Sequence, residues 1–204
     1  MLAASELECV RGDRTLFAGL AFTVAPGAGL LVQGANGAGK TSLLRIAVGL
    51  APAARGDVTW DGRPIRSLGP SYRREVLYCG HPNALKDDLT AIENVRAAAA
   101  LAGRPLTRDA ARGALAQVGV AAAAELPVRS LSQGQKRRTA LARLALDRAR
   151  LWVLDEPLAA LDAGGGEWLA SVLDAHLAAG GMALVTSHQP LATRAALATL
   201  TLGA

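Results

Sequence analysis

The sequence predicts an α/β architecture: a mostly parallel sheet, an antiparallel β part at the N-terminus, and a helical insert. Three observations carry this. Short apolar runs of strand length alternate with longer helical patterns, as they do where helical crossovers join the strands of one sheet. Two of the runs, residues 151–155 and 182–186, are continuous, which suits the centre of a parallel sheet. The first 30 residues differ, because 6–10 and 20–24 read as strands joined by the turn Arg11-Gly12-Asp13-Arg14.

Taken in order, residues 30–33 read as a buried strand, followed by a glycine loop and a helix from Thr41 to about Gly49. Residues 57–60 and 76–78 read as further strands. From about Thr90 to Leu126 the chain is alanine-rich and helical. Thr90-Ala91-Ile92-Glu93 is a capping-box pattern that starts the first helix there. Gly103 and Pro105 break it, and Thr107 can cap the next. The alanine runs 97–100 and 121–124 read as helix filler. A helix is expected over 136–146; after 182–186 come a short helix and a strand over 197–202. The expected organisation is a single domain over 1–204, with an antiparallel part at about 1–30 and a helical subdomain at about 90–126.

The 204 residues suffice for one domain of ordinary size or two intimately packed subdomains. Hydrophobic residues make up 51%, although much of that is alanine, which buries little area. Aromatic residues are only 3%, which argues against a single-strand nucleic-acid binder built on stacking platforms. The net charge is +5, and lysine occurs only at Lys40, Lys86 and Lys136, so the positive charge is nearly all arginine. Such a balance attracts nucleotides, nucleic acid or anionic lipid without choosing among them. Cys9 and Cys79 lie far apart and form no CxxC pair, which argues against a disulfide framework or zinc site and fits a reducing compartment. Mean hydropathy is +0.25, yet no window of about 20 residues is free of charges and breakers, so no transmembrane helix is expected. Glu6 and Glu8 stand where a signal peptide would carry its apolar centre.

Gly34-Ala35-Asn36-Gly37-Ala38-Gly39-Lys40-Thr41 matches the GxxxxGK[ST] phosphate loop, in the strand–loop–helix context that the motif requires. Glycines let the backbone wrap closely around phosphates and turn successive N–H groups inward. The following helix aims its positive dipole end at the same anion. Lys40 is expected to reach the β- and γ-phosphates of a nucleotide, and Thr41 to put its hydroxyl on Mg2+. Ser42 completes the expected phosphate contacts. The chain thus reads as a P-loop NTPase core.

The apolar run Leu151-Trp152-Val153-Leu154 ends in Asp155-Glu156-Pro157. In P-loop enzymes the acid at a strand end holds Mg2+, directly or through water. Asp155 takes that role, and Glu156 is placed to polarise the water attacking the γ-phosphate. This second acid points toward ATP hydrolysis with a local base. Leu131-Ser132-Gln133-Gly134-Gln135 opens a further helix, and a serine, a glycine and a helix N-terminus together make a second anion site. Two phosphate-binding devices in one chain are explicable if the second serves the nucleotide of another copy. The basic run Lys136-Arg137-Arg138 reads as the exposed start of that helix, with Ala140, Leu141, Leu144 and Ala145 facing a core, and nucleic acid is not expected as a partner.

On these residues the sequence resembles the ATP-binding subunit of ABC transporters over nearly its whole length. Leu131 to Gln135 looks like the family's LSGGQ signature with Gln133 replacing a glycine. Leu158-Ala159-Ala160-Leu161-Asp162 resembles the D-loop, and His188 in Thr186-Ser187-His188-Gln189 resembles the switch histidine that contacts the γ-phosphate. The resemblance implies the ABC ATPase fold, a head-to-tail dimer with a second copy, and a membrane-spanning permease subunit as partner. Two positions depart from it. His81 stands where the family usually has a glutamine that contacts Mg2+ and the membrane partner, and Arg11 stands where an aromatic residue usually stacks on adenine. For His81 a metal- or water-binding imidazole and an ordinary loop residue are both open. For Arg11 a guanidinium stacked on the base and an uninvolved surface residue are both open.

Local strings resemble more narrowly the haem-exporter ATPases of bacterial cytochrome c maturation. They are Cys9 through Phe17, Gly80-His81 followed by Leu85-Lys86-Asp87-Asp88-Leu89-Thr90, Arg137 through Leu144, and His188-Gln189-Pro190-Leu191. Both departures are typical of that subfamily. The length leaves no room for the C-terminal regulatory domain usual in sugar importers. The resemblance implies a peripheral subunit on the cytoplasmic face of the inner membrane, serving haem delivery. No residue shows haem itself: there is no CxxCH, and His176 reads as a helix-surface residue. Three alternatives stand: another short ABC exporter ATPase of the lipoprotein-release type, a soluble ABC ATPase in iron–sulfur assembly or DNA repair, and a non-catalytic nucleotide-binding regulatory module.

Overall fold

A computed structural model describes residues 1–203. In chain order the elements are β1 (Leu2–Arg11), β2 (Arg14–Val24), β3 (Gly29–Gly34), α1 (Lys40–Ala47), β4 (Arg55–Trp60), β5 (Arg63–Pro64), α2 (Ile65–Leu68), α3 (Pro70–Arg74) and β6 (Val76–Cys79). They continue as α4 (Ala91–Leu101), α5 (Arg108–Gln117), α6 (Gln133–Leu141), β7 (Leu151–Asp155), α7 (Ala163–Ala178), β8 (Met182–Thr186) and β9 (Ala198–Leu202). The chain divides into two units. One comprises Met1–Gly80, Ala149–Pro157 and the chain from Leu173 on; the other comprises His81–Arg148 and Leu158–Val172.

The first unit holds two sheets. The antiparallel one has the order β2-β1-β4-β5, so the expected N-terminal hairpin recruits the strand around residues 57–60 rather than leaving it to the parallel sheet. Along β1, Leu2, Ala4, Leu7 and Cys9 are buried, and the alternation slips one place between Ala4 and Leu7, where Glu6 takes a φ of +51°. That bulge demands a glycine across from it. A Cβ on Gly56 would sit 2.3 Å from the carbonyl oxygens of Ser5 and Glu6, and only glycine relieves both that clash and its own φ of +79°.

The second sheet is parallel, with the order β6-β7-β8-β3-β9. Its central strands β7 and β8 are buried at every position, the physical reason their sequences run apolar without alternation. α1 lays Leu43, Leu44, Ile46 and Ala47 into the core that these strands share with Leu2, Leu7, Val24 and Trp60. Cys9 and Cys79 are both buried.

The second unit is helical. Thr90 caps α4 in a complete capping box: its hydroxyl accepts the Glu93 N–H at 3.2 Å, and the Glu93 carboxylate accepts the Thr90 N–H at 2.8 Å. Thr107 caps α5 by a single bond, its hydroxyl accepting the Ala110 N–H. Buried Asn94 accepts the Lys86 N–H and donates to the carbonyls of Lys86, Leu89 and Thr90, which shapes the segment leading into α4. Much of the core here is alanine, with Ile92, Val95, Leu115 and Val128 supplying the bulk.

Several expectations are corrected. α6 begins at Gln133, not residue 136, because Ser132 and Gln135 form a second capping box, and its last turn tightens into a 3-10 helix at Ala142–Ala145. The basic run is not exposed. Arg137 is buried and donates to Asn83 Oδ1 at 3.1 Å, and Arg138 donates to the Val118 carbonyl at 2.9 Å and pairs with Asp162. His176 is half-buried rather than simply solvated: its ring stacks on Trp152 with centroids 3.9 Å apart, and Nε2 lies 3.0 Å from the Met182 carbonyl. No helix forms between His188 and β9; two bonds from Arg194 N–H and one from Ala195 N–H to the Asp174 carboxylate hold that segment instead. Among the described residues no helix is long and apolar enough to cross a membrane.

Candidate active site at the phosphate loop

The site grows from the C-terminal edge of the parallel sheet, where open α/β sheets bind their ligands. β3 ends at Gly34, the loop follows, and α1 starts at Lys40. Gly39 is the N-cap of α1 with a φ of +100°, and a Cβ there would press to 3.1 Å from Leu16 and Phe17. With no side-chain cap present, the first N–H groups of α1 remain available to an anion. Lys40 folds back over the loop: Nζ donates to the Gly34 carbonyl at 2.7 Å and the Ala35 carbonyl at 3.2 Å, and lies 3.4 Å from His188 Nε2.

β7 delivers the acids. Asp155 is buried at the strand's end, and its Oδ2 accepts from the Thr41 hydroxyl at 2.8 Å. Glu156 follows with a φ of +47°, a left-handed conformation rare outside glycine. The Glu156 carboxylate accepts the His188 N–H at 3.2 Å, and its other oxygen lies 3.5 Å from His188 Nε2. His188 follows β8, in a turn where the Ser187 hydroxyl donates to the Gln189 carbonyl and accepts the Gln189 N–H. Asn36, Gly37, Gly39, Lys40, Thr41, Ser42, Asp155, Glu156 and His188 thus line one cavity of about 290 Å³.

Three residues that sequence reasoning missed belong to this neighbourhood. Leu16, from β2, lines the cavity, whereas Arg11 lies at the exposed end of β1 and is not among the lining residues. Thr186 sits opposite Asp155 in the β7–β8 register and bonds to it. Tyr78 has its phenol pushed up, chiefly by burial and further by the nearby Asp155 carboxylate, so it stays protonated. Only strand register could have flagged Thr186.

The remaining expected residues lie in the helical unit. Leu131 is buried, while Ser132 and Gln133 are exposed at the start of α6, and Ser132 Oγ accepts the Gln135 N–H at 3.2 Å. A Cβ on Gly134 would come within 3.1 Å of the Ala160 carbonyl. Asp162 is held below the usual carboxylate range, first by the Gly165 N–H and then by Arg138. His81 is exposed, and no group of three metal-ligating side chains occurs among the described residues.

The donor set of Thr41 and Asp155 suits a small hard cation. Magnesium prefers oxygen ligands at about 2.1 Å in octahedral geometry, which places adjacent oxygens roughly 3 Å apart; Thr41 Oγ1 and Asp155 Oδ2 are separated by 2.8 Å.

Fold and site together define a P-loop ATPase of the ABC type. The ABC transporter family pattern matches residues 17–159, and the chain belongs to that family as an ATP-hydrolysing member. Among curated proteins it is similar to the cytochrome c biogenesis ATP-binding export protein CcmA of Dechloromonas aromatica, 52% identical over 93% of each chain. It is also similar to the protein of the same name from Pseudomonas aeruginosa, 50% identical over 95% of this chain and 96% of that one. The CcmA of Aromatoleum aromaticum is 53% identical over 93% of this chain and 89% of its own. Solved structures share the fold. An ATP-binding subunit of an ABC transporter aligns with a TM-score of 0.85 at 24% identity, covering 98% of this chain and 85% of that one. The ATP-binding cassette MJ0796, dimeric in a post-hydrolysis state with ADP and Pi, aligns with a TM-score of 0.80 at 23% identity, covering 93% and 88%.

Proposed function

We propose that this chain is the ATPase of a haem exporter serving cytochrome c maturation, acting as one ATP-binding domain on the cytoplasmic face of the bacterial inner membrane. Identity of 50 to 53% along nearly the full length of relatives named as cytochrome c biogenesis ATP-binding export proteins supports the assignment. The observation that carries the chemistry is the convergence of Lys40, Thr41, Asp155, Glu156 and His188 on one cavity.

The loop from Gly34 to Ser42 wraps the nucleotide phosphates with its N–H groups, and Lys40 neutralises charge on the β- and γ-phosphates. Thr41 and Asp155 would hold Mg2+, which would stabilise negative charge on the phosphate oxygens. Glu156 orients the water that attacks the γ-phosphate as its bond to the β-phosphate oxygen breaks. His188, fixed by Glu156, donates toward the γ-phosphate. A second copy closes the site head to tail with Ser132 and Gly134, and Asp162 links the two sites, as a dimeric cassette of this fold makes reasonable. Closure moves a membrane-spanning permease subunit, a conformational gate driven by differential ligand affinity.

The test is a Glu156→Gln variant expressed in the native membrane. It is expected to bind ATP, hydrolyse it at least a hundredfold more slowly, accumulate as a closed dimer, and co-purify with a membrane-spanning subunit whose loss abolishes cytochrome c maturation. Near-normal turnover overturns the role of Glu156, and capture of a permease for another cargo overturns the haem assignment.

A further inference from the structure

We infer that Thr186 is a positioning residue for hydrolysis, setting the orientation of the metal-holding carboxylate and of the water-orienting glutamate through one hydroxyl. The inference rests on the roles proposed above for Asp155 and Glu156.

Thr186 is the last residue of β8 and the register partner of Asp155 on β7, and it is fully buried. Its Oγ1 is 2.8 Å from Asp155 Oδ1 and 2.8 Å from the Glu156 backbone nitrogen. The direction of these two bonds follows from chemistry alone. A backbone N–H can only donate, so the hydroxyl accepts from Glu156. Its single proton then points at Asp155 Oδ1, which accepts it.

Two consequences follow. Asp155 receives one hydroxyl on each oxygen, Thr186 on Oδ1 and Thr41 on Oδ2. Its χ2 is thereby fixed with Oδ2 turned toward the phosphate loop, where the cation would bind. The second bond pins the Glu156 amide in the turn that carries a φ of +47°. A left-handed residue persists only where its surroundings over-determine it. The same hydroxyl therefore aims both acids, and neither needs Thr186 to touch nucleotide. Burial makes the pair of bonds stiff, since a buried polar group without its partner is strongly disfavoured.

Thr186→Val keeps the shape and β-branching of the side chain and deletes both bonds. In the purified full-length chain we expect kcat for ATP hydrolysis to fall roughly ten- to hundredfold, the range usual for residues that orient a ligand from behind. KM for ATP should change less than about threefold, because the phosphate loop is untouched. Thr186→Ser, which retains the hydroxyl, should restore most of kcat. A readout apart from turnover is binding of a fluorescent ATP analogue. Thr186→Val should bind it with native affinity in EDTA and require roughly tenfold more Mg2+ for the magnesium-dependent gain.

Native kcat and native Mg2+ dependence in Thr186→Val would overturn the inference, as would equal loss in Thr186→Ser. If Thr186→Val does not fold, the comparison of Thr186→Ala with Thr186→Ser decides in its place. Glu156→Gln run alongside separates the two readings. A Glu156→Gln protein that turns over normally removes the underlying reading, whereas its collapse beside a fully active Thr186→Val removes only the role of Thr186.

Discussion

Lys40 shows how one side chain both builds and uses the site. Its ammonium is held by the carbonyls of Gly34 and Ala35, so the loop is already curled before any phosphate arrives. Charge-assisted hydrogen bonds contribute about 1.5–3 kcal/mol each, roughly ten- to hundredfold in binding. Lys40→Ala is therefore expected to weaken ATP binding by at least about tenfold, measured by titrating a fluorescent analogue; unchanged affinity would contradict this role. Lys40 and Thr41 were legible from spacing alone, because GxxxxGK[ST] is a local device whose geometry lies within eight residues. Thr186 was not. Nothing within β8 marks it, and its importance comes from the residue beside it on a strand about thirty positions earlier in the chain. Arg137 was misread for a related reason: a charge in a basic run looks solvated until a partner such as Asn83 is found beside it.

Among the elements, the caps were the most readable. Thr90 with Glu93 forms the box that the sequence predicts, since both partners lie within four residues. The segment after His188 was the least readable. It forms no helix, and Asp174 on α7 gathers the N–H groups of Arg194 and Ala195. Those bonds hold the Asp174 carboxyl below its ordinary value of 3.8, the Arg194 N–H first and the Ala195 N–H second. A carboxyl whose pKa is depressed by folding stabilises the fold fully above its unfolded value, and that contribution is lost as pH falls through the lower folded value. The tether should hold at pH 5 and loosen only below 3.8. An NMR titration should show the Arg194 and Ala195 amides shifting with a midpoint below 3.8, and Asp174→Asn should speed their hydrogen exchange at neutral pH. A midpoint at or above that value would refute the tether.

At the scale of the whole molecule, each unit has its own hydrophobic core, and the two cores differ in kind. The one around the sheets is built from leucine, valine and aromatic residues, whereas the helical one leans on alanine. Alanine buries little area, so the few large side chains in the second core carry a disproportionate share of its stability. Leu115 is fully buried there. Leu115→Ala should lower unfolding free energy by about 2–5 kcal/mol, read from chemical denaturation; a loss below about 1 kcal/mol would mean that this core tolerates a cavity. The order of strand, phosphate loop, helical stretch, signature and acidic strand was readable from the chain, because periodicity, caps and glycine loops act over a few residues. The convergence of Thr41, Asp155, Thr186 and His188 was not, because it depends on which strands lie side by side. A parallel sheet places neighbours through crossover connections, so β3 meets β8 across nearly the whole chain and β7 meets β8 in one particular register. Local signals carry no information about that choice. It is made when the apolar faces of the strands are buried together, and that burial turns separate motifs into one site.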